Sequence, residues 1–222
     1  MRGQHAEVVD EQRTERTRRS YDRSARCYDA LEIVAEFRYR AWRQRLWSDV
    51  RGPELLEVGV GTGKNIPFHP RDVRIRAIDL SPKMLERARR RAAKLDATVE
   101  LSLADVQALP FPDDEFDEVL ATFVFCSVPD PVLGLREVRR VLKPGGRLLL
   151  LEHVRAANRF VGRLMDIANP LSVRVTGVNI NRRTVANVER AGFTLDRVED
   201  IGMRGMFKLM IARNGTAEPS DG

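Results

Sequence analysis

The spacing of apolar residues along the chain changes near residue 52. Upstream, Leu31, Val34, Ala35, Trp42, Leu46 and Val50 fall roughly on one face of a helix, with Arg38, Arg40, Arg43 and Arg45 around the rest. Gly52-Pro53 ends that segment, and residues 14–27 before it are charged and helix-compatible. Downstream the period shortens. Segments 54–60 (ELLEVGV), 73–80 (VRIRAIDL), 98–104, 116–124 (FDEVLATFV) and 147–152 (RLLLLE) read as short buried strands. The last is apolar almost throughout, as expected of a strand covered on both faces.

Helices are predicted between these strands. Ser81 is a good N-cap and Pro82 fits the first helical position ahead of MLERARRRAAKL. Residues 130–142 read as a second helix, stopped by the turn Lys143-Pro144-Gly145-Gly146. A less regular stretch runs from Arg155 to Asn181. A helix over 183–191 follows, stopped by Gly192, and then final strands over 193–199 and 205–213. This alternation predicts an α/β fold of Rossmann-like type, an open, mostly parallel sheet with right-handed crossovers and helices on both faces. The expected division is a flexible start (1–12), an N-terminal helical cap (13–51), the α/β domain (52–213) and a flexible polar tail (214–222).

Composition narrows the class. A chain of 222 residues, 43% hydrophobic and 32% charged, suits one α/β domain with a modest extension. No run approaches the roughly 20 apolar residues that cross a bilayer. The opening MRGQHAEVVD has no apolar core of a secretory signal, so a cytoplasmic protein is expected. Cys27 and Cys126 lie far apart and outside any CxxC or metal-type spacing, which predicts reduced thiols and no metal. The net charge of +6 fits either an anionic partner or a solvated arginine-rich surface. Without a zinc-finger, RRM or helix-turn-helix pattern, nucleic acid is disfavoured.

The chemistry concentrates at Glu57-Val-Gly59-Val-Gly61-Thr-Gly63-Lys-Asn65. Glycines following a buried strand let the backbone turn sharply and let a ligand lie against bare main chain. The turn feeds a helix start, whose free N–H groups bind anionic groups. About 20 residues later a dinucleotide site places an acid at the end of the next strand to hold ribose hydroxyls. Asp79 occupies that position. The spacing then selects against two cofactor classes. GxGxxG fails, because the residue three after Gly61 is Lys64, and GxxxxGK[ST] fails, because Gly63-Lys64 is followed by Asn65.

ExGxGxG, IDLSPKML, Ala104-Asp105-Val106 with LPFPDDEFD, and VLKPGGRLLLLEHV occur in this order. Together they resemble the motifs of the class I S-adenosylmethionine-dependent methyltransferases. The resemblance covers roughly residues 20–155. It implies a seven-stranded sheet with an antiparallel C-terminal strand, and S-adenosyl-L-methionine as cofactor. Gly59, Gly61 and Gly63 would line its methionine part, and Glu57 would orient the loop. Asp79 would take the ribose hydroxyls, with Leu80 and Met84 flanking the adenine. Asp105 would accept from the adenine amino group, with Val106 against the ring. Glu57 as a plain loop cap, and Met84 and Val106 as core, are the competing readings. Tyr21 and Tyr28 (SYDRSARCYD) resemble the family's N-terminal tyrosine segment over the cofactor; they either shield the site or pack the N-terminal helices.

Methyl transfer needs a nucleophile held in line with the sulfonium, and an attacking amine must be deprotonated. His153, at the end of the fifth strand, is either that base or a structural histidine. Phe123, Phe125 and Ser127 are expected to face the acceptor. Within the family the resemblance is to ubiquinone and menaquinone biosynthesis methyltransferases and to bacterial phosphatidylethanolamine N-methyltransferases. FVFCSVPDP and LEHV are also similar to a family of lipid-associated thiol methyltransferases. A small, lipophilic acceptor follows, first a phospholipid amine such as phosphatidylethanolamine, then a quinone precursor or a small thiol. The quinone enzymes' usual C-terminal segment is not evident. A non-catalytic S-adenosylmethionine-binding protein is the reading from another class. Segment 31–50, with Trp42 and Trp47, reads either as a surface for an anionic membrane or as a helix over the cofactor site.

Overall fold

Leu55, Leu56 and Val58 put apolar side chains on both faces of one short strand, so that strand must be covered from two sides. In the computed structural model, which describes residues 9–25, 33–176 and 178–215, it is an interior strand of a seven-stranded sheet. The strands are β1 (Glu54–Val58), β2 (Arg74–Asp79), β3 (Glu100–Leu103), β4 (Phe116–Thr122), β5 (Leu142–His153), β6 (Phe193–Gly202) and β7 (Phe207–Asn214). Their order is β3-β2-β1-β4-β5-β7-β6. The first five run parallel, and β7 is antiparallel to both β5 and β6. Val58 pairs with Ile78 on one side and Ala121 on the other, which brings the carboxyl ends of β1, β2 and β4 level.

Six helices accompany the sheet among the described residues: α1 (Glu11–Ser24), α2 (Ile33–Trp47), α3 (Pro82–Lys94), α4 (Pro131–Val141), α5 (Arg159–Thr176) and α6 (Thr184–Arg190). Alternation along the strands divides the core. Leu56, Val58, Phe116, Val119, Leu148 and Leu150 pack with Leu135 and Val138 of α4 and Val188 of α6. Leu55, Leu120, Leu149 and Leu151 point the other way, to Leu46 and Trp47 of α2. Ser81 caps α3 by accepting from the Met84 amide, with Pro82 in the first turn.

Two segments differ from the sequence expectation. The stretch after Arg155 contains α5, eighteen residues long with Pro170 inside it. Its start is fixed by the Asn158 side chain, which accepts from the amides of Phe160 and Val161. Pro144 and Gly145 lie within β5 rather than in a separate turn, at an irregularity where pairing jumps from Phe116–Leu142 to Glu118–Arg147. The two tryptophans of α2 face the protein. Trp47 is buried against the His69 ring and Trp42 packs on Phe207, so neither lies open to a membrane surface.

Candidate active site

At the carboxyl edge the chain leaves β1 through three glycines, all with left-handed φ. A Cβ on Gly59 would stand 2.4 Å from Val124 Cγ2, and one on Gly63 would stand 2.6 Å from Ile66 and 3.2 Å from the Ala88 backbone of α3. At Gly61 it would meet nothing closer than a carbonyl at 4.0 Å. Gly59 and Gly63 thus let the loop pack, and Gly61 leaves bare main chain facing open space. That space is a crevice of about 720 Å³ including its mouth, lined by Tyr21, Gly59, Gly61, Asp79, Leu80, Met84, Asp105 and Val106 among others.

The loop is held from behind. Glu57 is fully buried and accepts from Asn65 Nδ2 at 2.7 Å, with His69 Nε2 2.9 Å from its other oxygen. Asn65 in turn donates to Thr122 Oγ1 and accepts from Arg43 of α2. Glu57 therefore braces the loop without lining the crevice, and Gly63 is likewise a packing position.

Asp79 ends β2 with its Oδ2 accepting from the Gly61 amide and its Oδ1 from the Ser81 amide, both at 2.8 Å. Burial pushes its carboxyl up to about 6, against those two amides, which favour the ionised form. Asp105 accepts from the Gln107 amide at 2.9 Å and from its side chain, and Thr14 Oγ1 lies 3.4 Å from its Oδ2. Thr14 belongs to α1, which is also tied down at Asp22, where Oδ1 accepts from Ser81 Oγ at 2.5 Å. Tyr21 of the same helix reaches into the crevice and is hydrogen-bonded to Ser127. Burial raises the pKa of its hydroxyl, so it stays a neutral donor.

The wall expected to face an acceptor follows β4. Phe123 and Ser127 line the crevice, whereas Phe125 is fully buried in the core below α4, correcting its expected position. This wall rests on Glu152, whose Oε1 accepts from the amides of Val124 and Phe125 at 2.9 and 3.0 Å. Burial raises Glu152 to about 7. His153 does not reach the crevice lining. Its ring meets Phe207 edge-on at 5.2 Å, and Phe207 stacks in turn on Phe123, Tyr39 and Trp42. Burial lowers the His153 pKa and Nδ1 has no partner, so the ring is neutral at physiological pH. Tyr28 lies outside the described residues. No group of three metal-ligating side chains occurs among the described residues.

Sequence spacing alone could not find Thr14 and Asp22, because each reaches its partner through tertiary packing, nor the long-range bond of Gln107 to Thr14 that accompanies its local bonds to Asp105. The N-cap at Ser81 was the one local signal, and it is this hydroxyl that anchors α1.

The fold is that of a Rossmann-like domain, with an antiparallel β7 where an all-parallel dinucleotide fold has none. Comparison with known proteins narrows this. Residues 56–150 match the family described as methyltransferase domain. A phosphatidylethanolamine N-methyltransferase of Cereibacter sphaeroides is 39% identical over 107 residues, covering 47% of this chain and 53% of that protein. A demethylmenaquinone methyltransferase of Tropheryma whipplei is 36% identical over 151 residues, covering 65% of this chain and 62% of that protein. The chain thus spans less than two thirds of the length of these relatives. Among solved structures, an S-adenosylmethionine-dependent methyltransferase of Thermotoga maritima, described as a possible histamine N-methyltransferase, superposes with TM-score 0.68 at 23% identity over 88% of this chain and 99% of that one. The [4+2]-cyclase SpnF superposes with TM-score 0.66 at 22% identity over 78% and 81%. These two show the fold alone. Over residues 56–150 the chain is thus similar to an S-adenosylmethionine-dependent methyltransferase domain.

Proposed function

We propose that the chain transfers the methyl group of S-adenosylmethionine to a small lipophilic acceptor, with a phospholipid amine such as phosphatidylethanolamine as the first candidate. The convergence of Gly61, Asp79 and Asp105 on one crevice carries the cofactor half of this reading. The residues fit the group. Gly61 leaves room where any Cβ would intrude, and each Asp79 oxygen keeps a lone pair beyond its backbone bond for a ribose hydroxyl. Asp105 faces the crevice as an acceptor for an adenine amino group, with Val106, Leu80 and Met84 as the apolar sides of a base slot.

When bound, the cofactor supplies a methyl made electrophilic by its sulfonium. The chain's own contribution is positioning and exclusion of water, which supply most of the acceleration in such a transfer. α1 covers the crevice through Thr14, Tyr21 and Asp22. Phe123, Val124, Val128 and Pro129 give the acceptor side an apolar lining. His153 is neutral and so able to take a proton from an amine, but its place behind Phe207 favours the structural role over the base.

The likeness to the Cereibacter enzyme supports an amine acceptor, and the longer alignment with the Tropheryma enzyme supports C-methylation of a quinone precursor as the second reading. The cyclase among the structural neighbours is a reminder that one fold hosts several chemistries. Incubation with methyl-labelled cofactor and a lipid extract decides between them. Label in a phospholipid supports the first reading, label in a prenylated quinone the second, and label confined to water-soluble products rules out both. Asp79→Ala should weaken cofactor binding by about 1–3 kcal/mol in calorimetry; unchanged affinity removes Asp79 from this role.

A further inference from the structure

Helix α5 keeps an apolar face that nothing in the described chain covers. Phe160 is 75% exposed, Leu164 50%, Ile167 71% and Leu171 68%. At 100° per residue these four fall within about 60° of one another, a continuous stripe along three turns. Met165, on the opposite side, is buried against the body. Arg159, Arg163 and Arg174 run along one flank of the stripe. All three are exposed and none has an ion-pair partner among the described residues. The helix has a single acid, Asp166, and that is already paired with Arg155 at 2.8 Å.

From this arrangement we infer that α5 is a membrane-surface helix whose occupant is an anionic lipid interface. The apolar stripe enters the acyl boundary, and the arginines lie at the level of the headgroup phosphates. Charge decides between this occupant and a second copy of the chain. An antiparallel two-fold pair of α5 helices would bring both arginine rows to the same edge, like charge against like. Anionic headgroups complement that row instead. The helix lies on the surface and does not span, since no helix among the described residues is long and apolar enough to cross a membrane.

The helix is also coupled to the crevice. Asn169 of α5 accepts from the Ile180 amide at 2.9 Å, and neighbouring Asn179 donates its amide to the Cys126 carbonyl at 2.9 Å. Cys126 precedes Ser127 and Val128 in the crevice wall. A lipid-bound α5 therefore sits two hydrogen bonds in series from the acceptor side. The inference deepens the lipid-acceptor reading of the site but is read out without turnover, so the two can fail separately.

The experiment is co-sedimentation of the full chain with vesicles of phosphatidylcholine alone and with added phosphatidylglycerol. Binding is expected to the anionic vesicles and to fall as salt rises. Phe160→Glu with Ile167→Glu, both at exposed positions, should abolish it while leaving the melting temperature unchanged. Arg159→Glu with Arg163→Glu should reduce it by at least roughly fivefold per arginine. Equal binding to neutral vesicles, or anionic binding untouched by either double variant, overturns the inference. So does a dimer in solution that the Phe160/Ile167 variant converts to a monomer, because the second copy is then the occupant. Bound protein that methylates no lipid leaves α5 as assigned and counts against the acceptor alone.

Discussion

Gly61 and Gly63 share a left-handed backbone but differ in what a methyl group would meet. At Gly63 it would press on Ile66 and on the backbone of α3, so Gly63→Ala should cost stability. About 1–3 kcal/mol is expected, read as a lower melting temperature of the ligand-free protein. At Gly61 the methyl would enter the open crevice. Gly61→Ala should therefore carry only the conformational cost, about 1 kcal/mol, and lose cofactor affinity disproportionately. Equal loss of affinity and stability in both variants would contradict the division of roles. Glu152 presents a different residue-level balance. Burial holds its carboxyl near 7 against an ordinary 4.5, so the folded state keeps the proton more tightly than the unfolded chain. Its contribution to stability is full below pH 4.5 and is lost as pH rises through about 7. Glu152→Gln should flatten thermal stability across that window, since Gln still offers an acceptor to Val124 and Phe125. A pH series of melting curves checks this, and parallel wild-type and variant slopes would refute it.

Among the elements, α1 is the one whose attachment can be loosened without touching the core. It has no fully buried residue and rests on the site through Thr14 and Asp22. Thr14→Ala with Asp22→Ala should lower cofactor affinity by about an order of magnitude, on the scale of one to two lost hydrogen bonds. The melting temperature should fall by no more than a few degrees, at about 2–4 °C per kcal/mol for a chain of this size. A large drop in melting temperature would make α1 part of the fold instead of a cover. The elements also show what periodicity can and cannot reveal. β1, β4 and β5 were legible because both faces of each are buried, giving apolar runs such as LLLL at 148–151. α5 was not, because its apolar residues face outward and Asn169-Pro170 interrupts the text. Position in the sheet is likewise silent in spacing. That the last strand runs antiparallel came from the family resemblance, and its place between β5 and β6 is seen only in the structure.

At the scale of the molecule, the sheet is latched where its last strand ends. Asn214, 7% exposed, donates through Nδ2 to the carbonyls of Arg139, Leu142 and Lys143 and accepts from Arg139 Nε. This joins β7 to the junction of α4 and β5, 71 to 75 residues away in sequence. Asn214→Ala leaves those buried carbonyls without their shared donor and should cost about 1–3 kcal/mol in denaturant unfolding. A loss under half that would mean water replaces the amide. The site divides along the same line of local against distant. Gly59, Gly61 and Asp79 were legible because each sits at a fixed step from a strand end, and Asp105 was implied by the family resemblance. The Gln107, Thr14 and Asp22 contacts were not, because they join segments 59 to 93 residues apart or hang on that packing.

Phe123 holds a left-handed backbone, φ 59°, at the point where β4 gives way to its loop, a conformation unfavourable for a bulky residue. The kink leaves its ring as a partition, with the crevice on one side and the rings of Tyr39 and Phe207 on the other. A smaller side chain there would take the partition away and bring the ring of Phe207 within reach of the crevice.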